Sequence, residues 1–244
     1  VFDEATTYPC VLSLQHAASR AVLRASVVDT LAFPQGLDAY LRERQYDVPT
    51  EALADGGWVL TGGGTHALLD KLRGAGKPLK EYVENKIYYG IKTGFNEAFV
   101  IDAATRQRLI AEDPRSAEVI KPFLAGRDIK RYQTPRSDKF LILLERGRSS
   151  GEVRKATGNK TVGYDEAEAW LAKTYPAVFN FLKPFEEKAR ARADKGEFWW
   201  ELRACDYYGE FEKEKIAYAE IATRGQFAID SVSGYYDTTA YILG

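Results

Sequence analysis

Methionine is absent from these 244 residues, and cysteine and histidine are nearly so, with Cys10, Cys205, His16 and His66 as the full set. Two cysteines so far apart in sequence exclude a disulfide scaffold and suit a reducing compartment, so a cytoplasmic location is expected. The same scarcity leaves no Cys/His constellation for zinc. No apolar run reaches the length of a membrane span, and the N-terminus lacks the basic-then-apolar pattern of a signal peptide, so no membrane partner is expected. Charge of one sign is lacking as well: the net charge is −1, which argues against a uniformly basic nucleic-acid protein. What is present is ordinary for a globular chain, 45% apolar and 28% charged. The length allows one large domain or two small ones.

The charge average hides a pattern. Residues 1–120 carry 13 Lys/Arg against 16 Asp/Glu, residues 121–160 carry 11 against 4, and residues 161–244 carry 10 against 15. One basic segment on a neutral body is what a phosphate-contacting face needs, because phosphate contacts supply most sequence-independent affinity. Between Glu145 and Lys160 the same charges suit a solvated, poorly ordered loop equally well.

Periodicity predicts a β-hairpin from Tyr8–Leu14 and Ala21–Val28, a connector over 30–64 with a short helix near Leu37 to Arg44, and a helix capped by Thr65 with Leu68, Leu69 and Leu72 inward. Thr61-Gly62-Gly63-Gly64-Thr65 lacks both the Lys-Ser/Thr of a phosphate loop and the spacing of a dinucleotide fingerprint. Further on, helices are expected over Pro78–Val83, Ala103–Glu112, Asp165–Lys173 and Pro176 to about Arg192, the last broken at Pro184. Phe140–Leu144 reads as a buried strand. Ile87 to Asp102 reads as two apolar strands around a tip of Gly, Lys, Thr and Asn. Helices and strands interleave without a βαβ repeat, so the expected class is α+β with a mixed sheet.

Four blocks stand in order: Ile87–Asp102; Ile120-Lys121-Pro122-Phe123-Leu124-Ala125-Gly126-Arg127-Asp128-Ile129 with Tyr132; Phe198–Tyr208; and Lys215–Ile221 with Gly234-Tyr235-Tyr236 and Tyr241-Ile242-Leu243. In this order and spacing, residues 77–244 resemble the TaqI-like C-terminal specificity domain, the target-recognition part of class I N6-adenine DNA methyltransferases and of fused restriction-modification enzymes. The resemblance implies double-stranded DNA as partner, a methyltransferase domain acting in cis with S-adenosylmethionine, and a clamp role while the target base is swung out of the helix. Residues 1–76 are then expected to be the end of that methyltransferase domain and a connector, and the chain to be a piece of a longer polypeptide, truncated within its last domain. One departure qualifies the family name. None of the nine prolines follows another, so the Asn/Asp-Pro-Pro-aromatic motif that holds adenine N6 is absent, as is a Gly-rich cofactor loop. No catalytic residue, cofactor or metal is therefore assigned to these residues themselves.

Sequence reading in duplex DNA needs Arg, Lys, Asn and Gln at base edges, with other cations fixing the backbone. The candidates are Lys92, Thr93 and Asn96 on the hairpin tip and Lys121, Arg127, Lys130, Arg131, Tyr132 and Arg136 in the basic segment, converging on one groove. Plainer roles compete: Arg127-Asp128 suits an ion pair locking a turn, and Tyr132 suits core. Trp199-Trp200-Glu201-Leu202-Arg203 reads as a strand with one tryptophan in the core and the other at a surface, Glu201 and Arg203 pairing with each other or with Lys215 and Glu220. Glu212-Lys213-Glu214-Lys215 with Asp206 has the elements of a nuclease metal site, but alternating charges next to a strand are usually a solvated edge. The rival function is a protein-interaction or regulatory module that keeps the fold without DNA contacts, suggested by the acidity of residues 161–244. A hydrolase is a third option, for which no catalytic set is available.

Overall fold

A computed structural model describes residues 10–16, 18, 20–53, 58–60 and 63–244. The chain divides into two compact units, Val1–Pro78 and Leu79–Gly244.

In the first unit, strand β1 (Val22–Ala25) is followed by helix α1 (Leu37–Arg44), strand β2 (Tyr46–Pro49) and helix α2 (Gly63–Ala75). β1 pairs antiparallel with β2, not with an earlier strand. That corrects the hairpin expected from Tyr8–Leu14. Residues 10–14 hold no strand, and Tyr8 and Pro9 lie outside the described residues. Helix α2 starts ahead of Thr65, which is therefore not its cap, and Leu68 and Leu72 are exposed. Thr61 and Gly62 lie outside the described residues. Among the described residues, Val48 is the only buried apolar side chain of this unit.

The second unit is α+β. Its elements are α3 (Leu79–Tyr82), β3 (Ile87–Tyr89), α4 (Asn96–Phe99), β4 (Val100–Asp102), α5 (Ala103–Glu112), α6 (Ser116–Val119), β5 (Ile120–Leu124), β6 (Lys139–Ile142), α7 (Arg148–Thr157), α8 (Tyr164–Thr174), α9 (Pro176–Leu182), α10 (Glu186–Ala191), β7 (Lys215–Ala219), β8 (Phe227–Asp230), β9 (Tyr235–Tyr236) and β10 (Ala240–Leu243). They build two four-stranded sheets. One is antiparallel, in the order β3-β10-β7-β8; the other has the order β4-β6-β5-β9, with only β5 and β9 parallel.

The expected Ile87–Asp102 hairpin is not formed. β3 pairs with β10 in the first sheet and β4 with β6 in the second, with α4 between them. Apolar alternation marks both strands, but each finds a partner far along the chain. Residues 235–243 stitch the two sheets together, since β9 lies at the edge of one and β10 in the interior of the other. Two glycines admit the connecting turn. A Cβ on Gly90 would lie 1.7 Å from the carbonyl oxygen of Asp237, and one on Gly126 would lie 2.3 Å from that of Thr239.

Local chemistry sets the helix ends. The Asp102 carboxylate accepts the Thr105 N–H at 2.8 Å and starts α5. Proline lacks an N–H to continue the helical ladder, and the helix breaks around Pro184 into a 3₁₀ turn, Lys183–Phe185, before α10. The segment Glu145–Lys160, equally readable as loop, holds α7 between left-handed Gly147 and Gly158.

Trp199 and Trp200 sit in a turn, not on a strand, and both are buried. Their indole N–H groups donate to Tyr164 Oη and Ser149 Oγ, each at 2.8 Å. Glu201 makes neither of the pairings expected for it. Its buried carboxylate accepts the backbone N–H groups of Gly147, Ser149 and Glu197 at 2.9, 3.1 and 3.0 Å, fixing the start of α7.

A polar network closes the α8–α10 surface. Glu168 and Glu186 share Lys183 at 2.7 and 2.9 Å, and Glu186 also pairs with Arg190 at 2.6 Å. Lys183, helped by Arg190 and Tyr164, holds the Glu186 carboxyl down to about 2. A carboxyl with a lowered folded pKa contributes stability above its unfolded value and loses it as pH falls through the folded value. Glu186→Gln is therefore expected to be less stable than the parent at pH 7, and the difference to vanish as pH falls from the ordinary glutamate value of about 4.3 towards about 2. Thermal melts across that range test it, and a pH-independent difference would refute the assignment.

Candidate nucleic-acid interface

The basic segment folds around a 3₁₀ turn, Gly126–Asp128, which follows β5. The Gly126 N–H donates to Thr239 Oγ1 at 2.7 Å, and the Asp128 carboxylate accepts the Ala125 N–H at 2.8 Å. Asp128 is thus occupied by the backbone, and the Arg127–Asp128 ion pair considered above is not formed. Arg127 and Arg136 are exposed and have no ion-pair partner among the described residues. Lys130 Nζ donates to the Arg127 carbonyl at 2.6 Å. Arg127, Lys130 and Arg136 line an open recess of about 620 Å³ with Asp128, Gln133 and Thr134.

Arg131 and Tyr132 extend this cationic surface. The guanidinium lies 4.7 Å from the ring centroid and donates to the phenol oxygen at 3.1 Å. Tyr132 is not core: it is 80% exposed. Its φ of 58° puts a bulky side chain in the left-handed region, a conformation that costs about 1–2 kcal/mol. The fold holds it there through a hydrogen bond from the Tyr132 N–H to the Phe227 carbonyl at 3.1 Å.

The remaining candidates behave differently. Thr93 is only 2% exposed, so it is withdrawn as a surface contact. Its hydroxyl donates to the Asn96 side-chain oxygen and accepts the Phe95 N–H at 3.1 Å. Its carbonyl accepts from the buried Arg192 at 2.5 Å. Arg192 also donates to the carbonyls of Trp199 and Glu201 and lies 4.2 Å from the Phe99 ring centroid. Burial pulls this guanidinium down to about 10, which still leaves it charged at neutral pH. Sequence reasoning missed it because its partners are carbonyls brought from distant segments. Asn96 is exposed at the start of α4, with its side-chain oxygen engaged by Thr93.

Lys92 pairs with Asp194 at 2.9 Å, and Arg203 approaches the same carboxylate at 3.5 Å. Lys92 foremost, with Arg203, holds the Asp194 carboxyl below the usual carboxylate range. Lys121 is engaged by Glu212 at 2.9 Å, and Glu212 also accepts the Tyr235 hydroxyl at 2.6 Å. Glu212 is thus tied into side-chain pairing. Lys92 and Arg203 line a second, smaller recess with Tyr89 and Cys205, and the two recesses share no residue. That the two recesses belong to one DNA-binding groove is a proposal. Arg127, Lys130 and Arg136 line the first, Arg131 and Tyr132 lie beside it in the chain, and Lys92 lines the second.

No protein-family model matches the chain, and no curated protein matches it. Among solved structures it is similar to the Type IIL restriction-modification enzyme MmeI, whose structure is in complex with DNA, at 10% identity and a TM-score of 0.35 over 65% of this chain. The likeness covers 19% of that enzyme, and at this TM-score it is too slight to establish a shared fold. Among the described residues, no helix is long and apolar enough to cross a membrane.

Proposed function

We propose that residues 79–244 are a DNA target-recognition unit belonging to an adenine-N6 DNA methyltransferase or to a fused restriction-modification or phage-defence enzyme. In this proposal the unit clamps duplex DNA while a methyltransferase domain acting in cis, using S-adenosylmethionine, works on the extruded base. The observation that carries it is the surface around Arg127. Arg127, Lys130 and Arg136 line one recess, with Arg131 next to Lys130 in the chain; none of the four has a carboxylate partner among the described residues, and Arg131 lies against an exposed aromatic held at a strained φ. Unpaired cations cost little solvation while exposed and release counterions when they meet phosphates. Strained residues over-determined by their surroundings cluster at binding sites. Lys92, with Asn96 beside it, is the candidate for a second, more sequence-dependent contact.

The test is fluorescence anisotropy of a labelled mixed-sequence duplex with the full chain across a salt series. The Arg127→Ala/Arg136→Ala variant is expected to bind about 10- to 100-fold more weakly. The slope of log affinity against log salt should be shallower by about 2, one for each phosphate contact removed. Duplex binding with an unchanged slope, or no duplex association by the parent at low salt, would sink the proposal. In the latter case a protein partner becomes the better explanation, favoured by the exposed Ile216 and Ile229 on the antiparallel sheet.

A further inference from the structure

The outer face of the antiparallel sheet carries an ordered row of aromatics, one from each strand. Tyr89 on β3 is in register with Tyr241 on β10, Tyr241 with Tyr218 on β7, and Tyr218 with Phe227 on β8. Successive ring centroids are 5.0, 5.5 and 5.4 Å apart, and the Tyr218 and Tyr241 rings are stacked within 15° of parallel. Alternation along the strands puts a second row beside it on the same face: Ile87, Leu243, Ile216 and Ile229. The opposite face carries buried Ala217, Ala228, Ala240 and Ile242 with Lys215 and Asp230, so the sheet's core side is already filled.

Three properties of the aromatic row point outward. The stacked Tyr218 and Tyr241 rings use their faces on one another, so the edges of this central pair, which carry the positive part of the aromatic quadrupole, are what an external partner meets. The hydroxyls of Tyr89, Tyr218 and Tyr241 have no hydrogen-bond partner among the described residues and are not sealed from solvent. Both ends of the row reach a cationic site. Tyr89 lines the recess that holds Lys92 and Arg203, and the Phe227 carbonyl accepts the Tyr132 N–H beside Arg131. A line of hydroxyl donors and ring edges between two sets of cations is complementary to a polyanion.

We infer that this row is a track for the sugar-phosphate backbone of one DNA strand, joining the two sites that the candidate residues occupy. The inference rests on the DNA-recognition proposal above and adds a contact surface to it. Four strands about 4.8 Å apart give a row about 15 Å long; successive phosphates of one strand wind around the axis as well as rising about 3.4 Å, so roughly two or three meet the row. The phenol hydroxyls donate to phosphate oxygens and contribute affinity without charge.

The same anisotropy assay separates this track from the proposal it rests on. Tyr89→Phe/Tyr218→Phe/Tyr241→Phe keeps every ring and removes only the three hydroxyls. It is expected to weaken duplex binding by about 10- to 1,000-fold, at roughly 2- to 10-fold for each of the three hydrogen bonds lost. The salt slope should stay as in the parent, because no cation is lost. A triple variant that binds like the parent while Arg127→Ala/Arg136→Ala binds weakly overturns the track and leaves DNA recognition standing. If neither variant changes binding, both fall. Thermal melting checks that the triple variant is folded. Should it not be, Tyr241→Phe alone carries the test, with a 2- to 10-fold loss expected and parental binding overturning the track. Sedimentation velocity supplies the remaining outcome: a dimer of the parent broken by Ile229→Lys would make this face an interface between copies and overturn the track.

Discussion

Replacing Lys215 by methionine is expected to destabilise the second unit by about 3–5 kcal/mol, the cost of leaving a buried charge without its partner. Lys215 and Asp230 form an ion pair at 2.9 Å with both side chains fully buried. The ammonium also donates to the Phe211 carbonyl at 2.7 Å, and Asp230 accepts the Tyr236 hydroxyl and the Gly234 and Val232 N–H groups. Burial pulls the Lys215 ammonium below its ordinary value, and Asp230 opposes that pull. In Lys215→Met the carboxylate keeps its neutral donors and loses its countercharge. The double variant Lys215→Met/Asp230→Asn removes both charges and is expected to be more stable than Lys215→Met alone. Urea unfolding followed by tryptophan fluorescence measures both. A single variant within 1 kcal/mol of the parent would show that the pair contributes little.

Glu201→Ala is expected to cost a similar amount, about 3–5 kcal/mol, for a different reason. Three backbone N–H groups converge on this carboxylate, and each buried donor left unsatisfied costs about 1–3 kcal/mol. Glu201→Gln should fall between, since one amide oxygen can still accept while the amide nitrogen faces a donor. The pH dependence separates this role from simple packing. Burial raises the Glu201 carboxyl above its ordinary value despite the three donors. A raised folded pKa contributes stability that is present below the unfolded value and lost as pH rises through the folded value. The parent should therefore gain stability on acidification through the range just above the ordinary glutamate value. Glu201→Gln should not show that gain, and matching pH profiles for the two proteins would refute it.

Local signals made much of this fold legible in the sequence. The helices near Leu37 to Arg44 and over Ala103–Glu112 coincide with α1 and α5 because capping and 3.6-residue periodicity are properties of neighbours in sequence. The break at Pro184 follows from a missing N–H, which one residue decides. Strand partners were not legible. Tyr88 alternates like any strand residue, but that it lies opposite Ile242 is decided by packing across more than half the chain. The site divides the same way. The basic segment showed in a charge count, and the structure places Arg127, Lys130 and Arg136 around one recess. That Lys121 is held by Glu212 and Lys92 by Asp194 depends on residues roughly a hundred positions away. The aromatic row was hidden because its four members come from four separate strands.

The place of residues 235–243 in both sheets constrains how the second unit can be made. The interior strand of one sheet and an edge of the other reach the ribosome exit only after every other strand has been synthesised. Each sheet is therefore completed late among the strands of this unit, and pairings this distant in sequence fold slowly. Cutting the chain between Asp230 and Tyr235 would separate each sheet from one of its strands, β10 from the first and β9 from the second. Split-protein designs should avoid that interval, and the junction between Pro78 and Leu79 is the natural place to divide the molecule.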